Sequence, residues 1–182
     1  MFAGALSRLK GLDVLLEAWA GLEPRVPLVL AGLRRPDSPR VFPPGVWVAE
    51  SVPRGEVLQA WAHCLVAVVP SVFPDPHPTV AIEAMAAGRP VVASAVGGLT
   101  SIVTDEETGY LVKPGSVDDL RRALQRLIAN PTLCSKMGDA AAVAARRFDK
   151  DVVVPQLEQV YQEAIANNGG RSDDPATSAG TY

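Results

Sequence analysis

Two carboxylates eight residues apart, Asp75 and Glu83, bracket the start of a short apolar helix. The segment around them reads as a buried strand running into a proline-rich loop (Pro70 to Pro78), then a helix, then a second buried strand. The helix is apolar nearly all round (Val80, Ala81, Ile82, Ala84, Met85, Ala86, Ala87), so it should be packed on several sides. A lone carboxylate in such a helix is costly unless something hydrogen-bonds it. Thr79 and Glu83 are four apart and share one face. Pro78 suits the first helical position, where its missing N–H costs the helix nothing. The amides of Thr79 and Val80 then remain to donate, and the Thr79 hydroxyl can replace the donor that Pro78 lacks. Such amides, at the positive end of the helix dipole, suit a phosphate or a sugar oxygen. Two acids flanking a helix N-terminus at the mouth of a parallel sheet point to a polyol or a nucleotide.

The elements that must position these groups alternate between strand and helix. Apolar residues at helical spacing predict a helix over Leu12 to Leu22, and Val26 to Ala31 forms a short buried strand closed by Gly32. Leu33 to Gly45, with Pro36, Pro39, Pro43 and Pro44, is loop. Strands follow at Val46–Ala49, Leu65–Val69, Pro90–Ala93 and Tyr110–Val112, with a helix at Gly55–His63. Three helices close the chain: Val117–Ala129, with Ser116 as N-cap and Asp118-Asp119 in its first turn, then Thr132–Phe148, then Val152–Asn167. Residues 168–182 have a composition that predicts a disordered tail after a single domain over 1–167. The alternation specifies an α/β fold with a mainly parallel sheet. Leu65–Val69, the apolar helix and Pro90–Ala93 then form a right-handed βαβ unit. Ligands of such sheets bind beyond the carboxyl ends of the strands. Those ends are Pro70 to Thr79 and Ser94 to Gly98, so the Asp75 loop and Gly97-Gly98 are expected side by side.

Bulk composition narrows the class. The chain has 182 residues, 48% hydrophobic and 20% charged, enough for one good core. A net charge of −3 argues against a nucleic-acid surface. Cys64 and Cys134 lack metal-ligand or disulfide-framework spacing. No apolar run is long enough for a transmembrane segment, and the first residues lack a signal-peptide pattern, which makes the cytoplasm the expected compartment.

The order of motifs resembles a known family. Asp75-x7-Glu83, then Ala84-Met85-Ala86-Ala87-Gly88-Arg89-Pro90-Val91-Val92-Ala93-Ser94 and Gly97-Gly98, is similar to the donor-binding segment of retaining GT-B glycosyltransferases of family 4. Gly4-Ala5-Leu6-Ser7-Arg8-Leu9-Lys10-Gly11, Thr108-Gly109-Tyr110-Leu111-Val112 and Asp118-Asp119-Leu120 fall in the same order as in that family. The resemblance implies a Rossmann-like domain with helices on both faces, the C-terminal half of a GT-B fold. It implies that Glu83 hydrogen-bonds the ribose of a nucleoside-diphosphate sugar and that Asp75 contacts the donor sugar. The backbone of His77, Pro78, Thr79 and Val80 would hold sugar and phosphate, with Pro78 contributing no N–H, and Gly97 and Gly98 would allow a close backbone approach. Lys10 would neutralise the diphosphate leaving group, so that neither metal nor cofactor is needed and the sugar transfers with retention. The acceptor is unknown. A full enzyme would carry an N-terminal Rossmann domain as well and could sit at the inner membrane surface.

Three positions depart from the family pattern. Asp75 stands where Glu is usual, Ala5 where Arg is expected, and Arg34 in a slot commonly Gly. Arg8, Arg34 and Arg35 are the cations near the gap that Ala5 leaves. The first domain has no counterpart here, which leaves a fragment of a longer enzyme, a subunit completed by another chain, or a relic. Alternatives to sugar transfer are an inactive nucleotide-binding or regulatory module of GT-B type and a nucleotide-sugar epimerase. Each residue also has a plain structural role open to it: Glu83 paired with an arginine, Asp75 in a turn, Lys10 as surface charge, His77 through its backbone alone.

Overall fold

The computed structural model describes residues 1–168. Six short parallel strands form two three-stranded sheets. Strand β1 (Phe2–Ala3) pairs with β2 (Leu28–Ala31), which pairs with β3 (Val46–Ala49). Strand β4 (Ala67–Val69) pairs with β5 (Val91–Ser94), which pairs with β6 (Gly109–Val112). The sheets meet where the Met1 amino group donates to the Val66 carbonyl at 2.7 Å and the Val68 N–H donates to the Met1 carbonyl at 2.9 Å. The combined order is β3-β2-β1-β4-β5-β6, a doubly wound sheet that reverses between β1 and β4.

Helices α1 (Leu12–Ala20), α2 (Arg54–His63), α3 (Thr79–Ala86), α4 (Leu99–Ile102), α5 (Val117–Ala129) and α6 (Pro131–Ala145) cover both faces. Alternation along the strands decides which side chains each helix meets. Val66, Val68 and Val92 join Leu30 in one cluster with Leu12, Leu15 and Trp19 of α1 and Leu120, Leu124 and Leu127 of α5. The intervening Ala67, Val69, Val91 and Ala93 are equally buried and turn to the face that α3 and α4 cover. Burial on both sides accounts for the continuous apolar runs of these strands. Local signals set the helix starts: the Ser116 hydroxyl caps α5 through the Asp119 amide, and the Asn130 side chain caps α6 through the Leu133 amide. A second compact unit begins at Arg147 and contains α7 (Lys150–Asn168), whose Val153, Leu157, Val160 and Tyr161 side chains are exposed.

Apart from shifts of one or two residues at element ends, as where the strand expected from Leu65 starts at Ala67 and the last helix starts at Lys150, the structure differs from the sequence expectations in four places. Strand β1 is only two residues long, too short for any periodic signal, yet it is a central strand. Helix α4 is a single turn following Gly97-Gly98, where only a loop was expected. Pro78 precedes α3 as its cap residue, with ψ at 89°, and is not its first helical residue; Thr79 opens the helix. The helix expected to reach Phe148 ends at Ala145 and tightens into a 3-10 turn over Arg146–Phe148. The expected tail lies outside the described residues from position 169 onward.

Candidate functional site

The strand-order reversal places the end of β1 beside the end of β4, and the candidate residues gather there. Chain leaving β1 passes through a 3-10 turn, Arg8–Lys10, closed by Gly11 in the left-handed conformation (φ 72°, ψ 26°). A Cβ on Gly11 would lie 1.9 Å from the Pro70 carbonyl oxygen, so only glycine lets this turn rest on the loop after β4. The Val72 amide donates to the Leu9 carbonyl at 3.0 Å and ties the same two segments together. Lys10 is thereby held against the Asp75 loop, and its ammonium donates to Asp75 Oδ2 in an ion pair. That hydrogen bond holds the Asp75 carboxyl below the usual carboxylate range; partial burial opposes the shift, and the His77 amide, 3.4 Å from Asp75 Oδ1, adds to it.

Lys10, Asp75, His77, Pro78, Thr79 and Val80 line one cavity of about 220 Å³, floored by Phe2, Ala3 and Gly4. A second, of about 460 Å³, adjoins it and holds Glu83 and Arg54. The two share Ala3, Gly4, Thr79 and Val80, so they form one trough. The Lys10–Asp75 pair stands at one end, Glu83 at the other, and the first turn of α3 between them. The Ala81 amide donates to the Pro78 carbonyl at 3.1 Å, which leaves the Thr79 and Val80 amides with no carbonyl of the helix to donate to. Glu83 is mostly buried, and its Oε1 accepts from Arg54 Nη2 at 2.9 Å. Arg54, at the start of α2, is 77% exposed, so the pair screens only one side of the carboxylate. Pairing with an arginine was foreseen for Glu83, but not with Arg54, which is 29 positions away and carries no local signal.

Gly97 and Gly98 line neither part of the trough. The Gly98 N–H donates to the Asp75 carbonyl at 2.8 Å. A Cβ on Gly98 would stand 2.1 Å from the Pro76 oxygen, and one on Gly97 would stand 2.6 Å from the Asp75 oxygen. The Asp75 loop thus lies directly on these two glycines. Of the cations near Ala5, Arg34 is committed elsewhere: it bonds Glu50 at 2.7 Å and the Pro39 carbonyl at 2.9 Å, and it stacks on Phe42. Arg35 shares a cavity with Ala5 and Lys10. Two arginines of α5 pair within that helix, Arg121 with Asp118 and Arg122 with Asp119, and Arg126 reaches Glu106 and the Tyr110 ring.

Proteins similar to this chain in sequence include glycosyltransferases. The family model of glycosyl transferases group 1 matches residues 1–143. The chain is 34% identical over 190 residues to the D-inositol 3-phosphate glycosyltransferase of Streptomyces griseus, covering 94% of this chain and 40% of that protein. It is 36% identical over 183 residues to the Streptomyces coelicolor protein of the same name, covering 91% and 40%. The chain thus spans about two-fifths of the length of these relatives. Among solved structures, sucrose-phosphate synthase from Thermosynechococcus elongatus superposes with a TM-score of 0.81 at 30% identity, over 91% of this chain and 46% of that one. Anabaena HepE, solved with UDP, superposes with a TM-score of 0.78 at 25% identity, over 89% and 48%. The α/β architecture is the Rossmann-like domain of the GT-B fold. With its motifs, strand order and matched residues in agreement, the chain belongs to the group 1 glycosyl transferases.

Proposed function

We propose that this chain is the donor-binding part of a retaining glycosyltransferase that takes a sugar from a nucleoside diphosphate. The observation that carries the proposal is the continuous trough with Glu83 at one end, Lys10 and Asp75 at the other, and the start of α3 between them. Glu83 would accept from the ribose diol on the side that Arg54 leaves open. The diphosphate would lie over the Thr79 and Val80 amides, where helix-terminal N–H groups favour negative charge. Lys10 would meet the charge that develops on the leaving diphosphate, and preorganised donors of that kind stabilise it without a metal. Asp75, oriented by Lys10, would contact the donor sugar. The solved neighbour that binds UDP makes a uridine diphosphate sugar the first donor to test.

Sugar transfer needs an acceptor held against the donor and water excluded around both. We propose that an N-terminal Rossmann domain supplies those functions and that this chain alone binds donor without transferring it. Calorimetric titration with UDP, GDP, ADP and TDP and their glucose conjugates tests the binding step. Saturable binding of at least one is expected, and no binding of any would overturn the donor-site assignment. Incubation with labelled donor and candidate acceptors should give no product. Retained-configuration product from the pure chain would overturn the proposed division of labour.

A further inference from the structure

A cavity of about 530 Å³ lies on the far side of Lys10 from the trough and shares no other lining residue with the inner trough cavity. Its cations are Lys10 and Arg35, and its walls are Ala5, Leu9, Pro36 and Phe73. The loop carrying Arg35 is pinned in place. The Arg35 amide donates to Ser38 Oγ at 2.7 Å, the Ser38 hydroxyl donates to the Leu6 carbonyl, and the Arg8 amide donates to Asp37 Oδ2 at 2.7 Å. These bonds fasten residues 35–38 to the segment that leads into Lys10, so both cations face one space by construction. Asp37 is the acid in the lining, and its Oδ2 is engaged by the Arg8 amide. Lys10 is already paired with Asp75, whereas the Arg35 guanidinium has no hydrogen-bond or ion-pair partner among the described residues. Its neighbour Arg34 is engaged by Glu50 and the Pro39 carbonyl, and Arg35 is the arginine of this loop that lines the cavity with Lys10.

We propose that this cavity is a phosphate site, with Arg35 gripping a phosphoryl group and Lys10 closing its inner end. A guanidinium offers a planar fork of donors that matches phosphate oxygens two at a time. The side chains of Leu9 and Phe73, 59% and 57% exposed, give the carbon skeleton next to that phosphate an apolar wall. Two molecules could bring the phosphate: a phosphorylated second substrate, or the donor through its terminal phosphate. Only the choice between them rests on the donor-trough proposal.

The test compares the full chain with Arg35→Ala and Arg35→Lys at constant ionic strength, using inorganic phosphate, UDP and UMP as probes. If a second substrate is the source, phosphate binds wild type in the presence of saturating UDP. Arg35→Ala then weakens phosphate about tenfold, the loss of one charge-assisted bond, while UDP affinity holds. If the donor is the source, phosphate competes with UDP, and Arg35→Ala weakens UDP about tenfold while leaving UMP unchanged. Arg35→Lys, which keeps the charge and loses the fork, should fall between wild type and alanine in either case. Arg35→Ala binding phosphate and UDP as wild type does would overturn the proposal, as would a wild type that takes up no phosphate and shows no dependence of UDP on Arg35. Failure of the trough assignment looks different: UDP does not bind wild type at all, while the phosphate titration still reports on Arg35.

Discussion

Lys10 and Asp75, 65 positions apart in the chain, form an ion pair across the crevice where the sheet reverses. Because the pair holds the Asp75 carboxyl below its ordinary range, the folded protein binds fewer protons there than the unfolded chain does. The contribution to stability is complete above the unfolded carboxylate value, about 3.9, and is lost as pH falls through the lower folded value. Asp75→Asn should therefore melt below wild type at pH 7, and the gap should close on acidification below about pH 4. The side chains are partly exposed (36% for Lys10, 22% for Asp75), so the gap corresponds to about 1 kcal/mol or less. Melting curves from pH 7 to 3 measure it. A gap that widens in acid would show that the pair does not stabilise the fold.

Glu83→Gln should lower nucleotide affinity by about ten- to hundredfold, since hydrogen bonds to a charged group are worth roughly 1.5–3 kcal/mol each. Its pair with the exposed Arg54 contributes at most about 1 kcal/mol, so the melting temperature should move little. Arg54→Ala is the control: it removes the pair but leaves the carboxylate, and should bind UDP within a few-fold of wild type. Calorimetry with UDP beside thermal melts of both variants separates the roles. A Glu83→Gln protein that binds normally but melts far lower would make Glu83 a structural residue.

Gly98→Ala would drive a methyl group into the Pro76 carbonyl and push the Asp75 loop off its seat. A loss of about 1–3 kcal/mol in stability is expected for such overpacking, together with weaker binding of a UDP-sugar. Gly109→Ala meets the Val91 carbonyl at 1.9 Å on the β5–β6 side, away from the trough. It should destabilise as well, yet leave the affinity of the folded fraction unchanged. Comparable affinities for the two variants would show that the glycine pair does not set the Asp75 loop.

Leu30→Ala, at a fully buried position in β2, should cost about 2–5 kcal/mol. Val153→Ala on α7, where the side chain is exposed, should change chain stability by about 0.5 kcal/mol or less. Chemical denaturation of both variants provides the comparison.

Much of the framework is legible because the strands are apolar on both faces and the helices carry caps. The strand Val46–Ala49 and the helix Val117–Ala129 occupy the spans that their patterns predict. The βαβ unit around Glu83 follows from one apolar helix between two β-branched runs. What escaped are features whose causes lie far off in sequence. β1 is a strand only because β2 and β4 offer it partners, and α4 is one turn set by its packing. The partners of the site carboxylates were equally hidden, for Arg54 and Glu83 meet through the topology alone. The proximity of the Asp75 loop to Gly97-Gly98 was legible, because both follow the carboxyl ends of adjacent strands.

The position of β1 has a consequence for assembly. Strands β2 and β3 are neighbours in sequence and in space, as are β4, β5 and β6, so each half-sheet can pair through short connections. β1 joins them by contacts spanning 28 positions on one side and 65 on the other. Loop closure over longer separations costs more entropy, by roughly 0.6 kcal/mol per doubling. Everything placed in the trough hangs on that one long-range closure, since Ala3 and Gly4 form its floor and Lys10 one of its ends. A chain with both half-sheets formed but β1 undocked would keep most of its secondary structure and have no ligand site.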